Sequence, residues 1–169
     1  MSPVLSVRKA DSRDLDPVFD LFQKAIRVMD DLGIPQWDAF YPTKEILRTD
    51  ISKGQLFACE TEGRIASVFV LNEEYDDEYD LADWKYPDGR FAIIHRLCVH
   101  PDFQRIGVGS ETLRVIETLA REKGYSSLRL DVFSQNPYSN RMYAKLGYEK
   151  TGEAHWRKGI FWLMEKRIG

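Results

Sequence analysis

Apolar residues at Leu15, Val18, Phe19, Phe22, Ala25, Ile26 and Met29 recur every three or four positions, a single stripe that predicts an amphipathic helix. Asp11 or Ser12 supplies its N-terminal cap, and Gly33 and Pro35 end it. Val4 to Arg8 precede it as a short strand, and Pro42 and Thr43 start a shorter helix running to about Ser52. Gln55 to Thr61 and Arg64 to Leu71 are apolar runs on either side of Glu62-Gly63, the pattern of a β-hairpin. Phe91 to Val99 is nearly continuous in apolar character, interrupted by His95 and Arg96, and reads as a strand covered on both faces. Leu113, Ile116, Leu119 and Ala120 mark a second amphipathic helix, which begins after Gly109 and closes at Lys123-Gly124.

Ser127 to Phe133 follows as a strand with Leu128, Leu130 and Val132 on one face. Strand, helix and strand in this length predict a crossover joining two parallel strands. Asn136 to Leu146 then form a short helix stopped by Gly147, and Tyr148 to Gly152 begin another strand. A loop holding His155, Trp156 and Arg157 leads to a last strand, Ile160 to Lys166. The whole predicts an α/β (α+β) protein: one domain over 1–169, a mixed, mostly antiparallel sheet with a parallel central pair, and helices on both faces. If the last strand is exposed, it could pair across a homodimer.

Two stretches have no clear period. Trp37, Phe40 and Tyr41 sit in the connection between the first two helices, either as cover for the core or as a binding wall. Residues 73–90 are densely acidic and carry Tyr75, Tyr79, Trp84 and Tyr86; they are either a solvated charge run or a substrate lid.

Composition narrows the function. The chain has 169 residues, 43% hydrophobic and 30% charged, with a formal charge of −3. That length suits a core that needs neither metal nor disulfide. Lys and Arg are scattered rather than gathered on one face, which argues against nucleic acid as the main partner. Cys59 and Cys98 lie inside apolar strand patterns with no paired spacing, so both are read as buried free thiols of a reducing compartment, with no metal site. With no run long enough to span a bilayer and no leader pattern, the expected location is cytoplasmic, away from the membrane.

The most informative corner is QRIGVG, Gln104 to Gly109, between the 91–99 strand and the helix behind it. Glycines here let a ligand approach the backbone, and the free first-turn N–H groups of a helix hold an anion. A P-loop is excluded because Gly109 is followed by Ser110 and Glu111 rather than Lys-Ser/Thr. A dinucleotide fingerprint is excluded because Thr112 stands where its third glycine would be.

What remains, Gln104, Gly107 and Gly109 after Leu97 and Val99, resembles the acetyl-coenzyme A signature of the GNAT superfamily of N-acetyltransferases. A second GNAT signature resembles Asn136, Tyr143, Lys145, Gly147 and Tyr148, in the family's order and spacing. The resemblance covers essentially the whole chain and is weakest over 73–90 and the last strand pair. Three positions depart from the pattern: Arg105 stands where glycine is common, and Tyr138 and Ser139 stand where alanine is common.

The resemblance implies acetyl-coenzyme A as acyl donor, without a metal. The pantetheine arm would pair with backbone groups of Leu97, Cys98 and Val99 beside a strand bulge. The phosphates would sit on Gln104, Arg105, Ile106, Gly107, Val108, Gly109 and Ser110, with Asn136, Ser139 and Tyr143 completing the donor site. Tyr143 would be the acid that protonates the leaving thiolate, unless it only packs its helix. His95 matches the place of a histidine in the arylalkylamine-acetylating members and would be the base, unless it is a satisfied core histidine or a water chain fed by Asp76 or Glu78 does the work. Trp37, Tyr41, Tyr75 and Trp84 are candidates for the acceptor side, where aromatic and acidic groups would suit a cationic amine. The expected reaction is acetyl transfer to a primary amine of a small molecule or peptide in a ternary complex. The alternatives are a silent coenzyme A sensor or scaffold, and an acyltransferase with another donor or acceptor.

Overall fold

The first α-helix, α1 (Leu15–Asp31), forms where the apolar stripe places it. Val18, Leu21, Phe22, Ala25 and Ile26 are its buried residues. Each large side chain of that set contributes about 1.5–3 kcal/mol by leaving water. The computed structural model of the protein describes residues 3–169, so the first two positions of the expected 1–169 domain lie outside the described residues. Asp11 caps a 3-10 turn, Ser12–Asp14, through a reciprocal box with Asp14, and α1 continues from it.

The chain divides into two compact units, one made of the residues up to Leu71 with Arg96–Val115, the other of Asn72–His95 with Ile116–Gly169. In the first unit β1 (Ser6–Lys9), β2 (Leu56–Thr61) and β3 (Arg64–Asn72) pair antiparallel in that order. The β2–β3 turn puts Glu62 at φ 53° and Gly63 at φ 73°, the two positive angles of the hairpin turn that matches strand twist. The second helix, α2 (Lys44–Ser52), is capped by the Thr43 hydroxyl. Leu21, Phe22, Leu47, Leu56, Ala58, Val68, Val70 and Cys98 meet in this unit's core, and Trp37 packs against the same cluster.

In the second unit the first part of β4 (Phe91–Val99) pairs parallel with β5 (Ser127–Phe133), from Phe91 opposite Ser127 to Ile94 opposite Leu130. β5 pairs antiparallel with β7 (Gly159–Arg167), and β7 with β6 (Glu149–Trp156). Two expectations are corrected here. His155 and Trp156 lie in β6, opposite Ile160 and Gly159, so the hairpin turn is confined to Arg157 and Lys158. The last strand is not exposed, because β7 is paired on both sides; a hairpin adds its second strand inward as readily as outward, and periodicity cannot tell which. Helices α3 (Val108–Glu122) and α4 (Pro137–Lys145) complete a mixed α/β fold that is mostly antiparallel with one parallel pair.

Residues 73–90 divide between aromatic side chains that turn inward and acids that stay in solvent. Tyr79, in a 3-10 turn at Asp77–Leu81, is 2% exposed, and its hydroxyl donates to the Asp131 carboxylate at 2.7 Å. The Trp84 indole N–H donates to the Tyr79 carbonyl at 2.7 Å, and the Arg129 guanidinium lies 4.2 Å from the Trp84 ring centre. The aromatic residues thus anchor the segment, while Asp76, Asp77 and Asp80 face solvent.

Candidate functional site

In the first unit β4 stops behaving as a regular strand at Arg96, whose φ is +48°. A left-handed residue inside a strand turns the following peptides away from the pleat, which is how bulges re-aim a backbone. Leu97, Cys98 and Val99 follow directly. Cys98 is 5% exposed with its thiol in the core cluster, whereas Leu97 and Val99 are half-buried. Burial raises the Cys98 thiol well above the ordinary range, so it stays protonated. Burial likewise pushes Cys59 up to about 11.

Beyond β4, the His100 N–H donates to the Ala66 carbonyl at 2.8 Å and a 3-10 turn covers Pro101–Phe103. The Gln104 amide donates back to the Val99 carbonyl at 3.3 Å. Arg105, Ile106 and Gly107 are exposed, with Arg105 at φ 66° and Gly107 at φ 90°, and α3 begins at Val108. Left-handed residues at a helix start turn successive N–H groups toward one concave point, a nest for an anion. The angle at Arg105 supplies the physical reason a glycine suits that position, and makes the arginine a strained choice that adds a charge. Arg105→Gly is therefore expected to stabilise the fold by about 0.5–1 kcal/mol, raising the melting temperature by roughly 1–4 °C in calorimetry.

Thr112, where a dinucleotide fold would need glycine, has a fully buried hydroxyl group. Its Oγ1 donates to the Val108 carbonyl at 2.7 Å and so accepts from Ser67 Oγ, also at 2.7 Å, fixing the first turn of α3 to β3. Val108 packs with Phe103 and Ala66, while Gly109 and Ser110 are half-buried.

In the second unit Asn136 caps α4, its side chain accepting from the Ser139 N–H at 3.1 Å, and Pro137 fills the first helical position. At the other end the Tyr148 N–H donates to the Tyr143 carbonyl at 3.0 Å, across Gly147 at φ 93°. This is a Schellman stop, in which the residue after the glycine touches the third residue from the helix end. Here those residues are Tyr148 and Tyr143, with ring centres 5.6 Å apart and nearly perpendicular. The spacing Tyr143, Gly147, Tyr148 is thus what one helix ending requires. Tyr143 is 6% exposed; burial, with the charge of Asp131, holds its phenol above the ordinary tyrosine range.

His95 Nε2 lies 2.9 Å from Asn72 Oδ1 and 2.9 Å from the Glu74 carbonyl. The Asn72 amide is oriented by the Glu74 N–H on its oxygen and the Glu74 carboxylate on its nitrogen. Both neighbours of Nε2 are therefore acceptors, so Nε2 carries the proton. Tyr75 is 43% exposed and stacks on Tyr79. Of the acceptor-side candidates, Trp37 and Tyr41 belong to the first unit, Tyr75 and Trp84 to the second. Sequence reasoning missed Asp50, Asn72 and Arg129. Each acts through a partner distant in the chain, and a charge inside an apolar run, as at Arg96 and Arg129, is the local sign of buried pairing but does not name the partner.

Residues 20–148 match the family model for the acetyltransferase (GNAT) family. S-(2-succino)cysteine N-acetyltransferase of Bacillus subtilis is 25% identical over 95% of this chain and 94% of its own. A GNAT-family acetyltransferase structure from Streptococcus agalactiae superposes with a TM-score of 0.87 at 20% identity, covering 98% of this chain and 96% of that one. PaiA N-acetyltransferase from Thermoplasma acidophilum, solved in complex with coenzyme A, superposes with a TM-score of 0.72 at 18% identity, covering 97% and 99%. The strand order among the described residues, the glycine turn into α3 and the two signatures thus have one common explanation: the chain belongs to the acetyltransferase (GNAT) family and is an acyltransferase.

Proposed function

We propose that the protein moves the acetyl group of acetyl-coenzyme A to a primary amine of a small molecule or peptide, by direct attack while both are bound, and that residues 1–169 act as one domain. The observation that carries this reading is the pair of left-handed positions, Arg96 in β4 and Arg105 before α3, bracketing the stretch whose backbone would hold the donor. Leu97 to Val99 would pair with the pantetheine amides through peptide groups. The exposed turn Arg105 to Gly107 and the start of α3, through Val108, Gly109 and Ser110, would take the pyrophosphate, with Gln104 bracing the turn. Asn136 and Ser139 would serve the arm from the capped end of α4.

The donor supplies the activated acyl carbon; the chain supplies proton management. An amine of pKa about 10 must lose a proton to attack, and His95 would take it. Tyr143, kept protonated by burial, would give its proton to the departing sulfur. Tyr75, Trp37, Tyr41 and Trp84 are assigned to the acceptor side, and the acidic residues around Tyr75 favour a cationic acceptor.

Release of free thiol from acetyl-coenzyme A, followed against amino-acid derivatives, polyamines and peptides, tests the reading. Turnover on one amine class with a 42 Da gain in product mass, which roughly equals one acetyl group for a proton, supports it. Donor binding without thiol release on any amine would favour a sensor, and a different mass gain another acyl donor. Because no side chain is required at Cys98, Cys98→Ser is expected to keep kcat within about threefold while costing about 1–3 kcal/mol of stability from the buried hydroxyl. A folded but inactive variant would contradict the backbone assignment.

A further inference from the structure

One buried charged cluster in the first unit is built on the side chain of Arg96, the residue whose backbone turn opens the proposed donor stretch. The Arg96 guanidinium grips the Asp50 carboxylate with two bonds, Nε to Oδ2 at 2.8 Å and Nη2 to Oδ1 at 2.7 Å, and its Nη1 donates to the Tyr41 hydroxyl at 2.8 Å. The side chains of Arg96 and Asp50 are only 12% and 8% exposed. Asp50 comes from α2 and Tyr41 from the turn at 38–41, whose backbone is closed by reciprocal bonds between Asp38 and Tyr41. Two separate segments therefore converge on the side chain of the one residue in β4 with a left-handed backbone.

That coincidence has a physical reading. A non-glycine residue does not stay left-handed unless its surroundings hold it there. A bidentate arginine–carboxylate pair is directional, and a buried one is costly to break, so it fixes a geometry more effectively than it adds stability. The pair is well suited to hold a turn in place.

Resting on the donor site proposed above, we infer that Arg96, Asp50 and Tyr41 form a positioning clamp for acyl-donor binding. The buried pair holds the left-handed turn of β4, and the turn presents the peptide groups of Leu97–Val99 to the pantetheine arm. Tyr41, bonded to the same guanidinium, ties the 38–41 turn to the donor strand. None of the three touches the reacting atoms.

The bland alternative is an ion pair that only anchors α2 to β4. The two differ in what glycine does at position 96. We compare the double variants Asp50→Asn/Arg96→Gly and Asp50→Asn/Arg96→Met, both lacking the pair, by calorimetric coenzyme A binding and thermal melting. Glycine adopts a positive φ freely, whereas methionine meets the left-handed penalty alone. The methionine variant is expected to bind coenzyme A about 5- to 30-fold more weakly than the glycine variant, the range that penalty spans. Equal affinities in the two variants, with only melting temperatures lowered, would overturn the clamp. Should the methionine variant not fold, Tyr41→Phe takes its place. Removing that phenol oxygen is expected to weaken coenzyme A about 3-fold or more, as loss of a hydrogen bond to a charged group does, and unchanged affinity overturns the inference. Wild-type protein that binds no coenzyme A would instead remove the donor site itself.

Discussion

Tyr143→Phe is expected to lower kcat for thiol release by about 10²- to 10⁴-fold while leaving coenzyme A affinity nearly unchanged. The substitution removes one oxygen and keeps the ring, so the packing of Tyr143 on Tyr148 and the helix ending at Gly147 persist. If the phenol protonates the departing sulfur, its loss falls on the chemical step. Because burial and Asp131 both raise the Tyr143 pKa, the group is protonated throughout neutral pH and is available as a donor there. Steady-state rates with saturating donor, set beside a binding isotherm, separate this from a packing role. A tyrosine that only packs its helix would leave kcat within a few-fold and shift the melting temperature instead.

Glu165→Ala is expected to destabilise the fold by about 3–5 kcal/mol, a fall of roughly 10 °C in melting temperature. Glu165 is 1% exposed, and its two oxygens accept from the Lys85 N–H at 2.7 Å and the Tyr86 N–H at 3.2 Å. Its carboxylate also lies 3.8 Å from the buried Arg129 guanidinium, which stands 3.7 Å from the Phe91 ring centre and 4.2 Å from that of Trp84. Alanine would leave two backbone donors and a buried cation without that carboxylate. The loss should appear first in residues 73–90, because their second half is held through this carboxylate. Limited proteolysis should therefore cut there under conditions in which the rest of the variant is intact. A variant that melts within 2 °C of wild type, roughly 1 kcal/mol or less, would contradict this account of the segment.

The two predictions differ in how legible their residues were. Tyr143, Gly147 and Tyr148 lie within one helix ending, and a Schellman stop makes their spacing a local property of the chain. The hairpin at Glu62-Gly63 and the strands 91–99 and 127–133 were legible for the same reason, since turn chemistry and apolar runs act over a few residues. Glu165 was not legible, being an acid in an apolar strand whose partners lie 80 and 79 positions away. Nor was the fate of residues 73–90, because an irregular aromatic and acidic stretch has no period to say which side chains turn inward. Tyr79 does so on account of Asp131, 52 residues distant.

By itself the sequence determined the order and kind of the elements, the glycine turn before α3 and the family to which both signatures pointed. All of these are written in patterns shorter than about 20 residues, where backbone preference and capping decide the outcome. Tertiary structure alone decided that Arg96 stands left-handed over a buried carboxylate, that β7 lies inside β6, and that His95 carries its proton on Nε2. Each depends on partners separated by long loops, and the cost of closing a loop grows so slowly with length that the chain gives no local sign of which pairing will win.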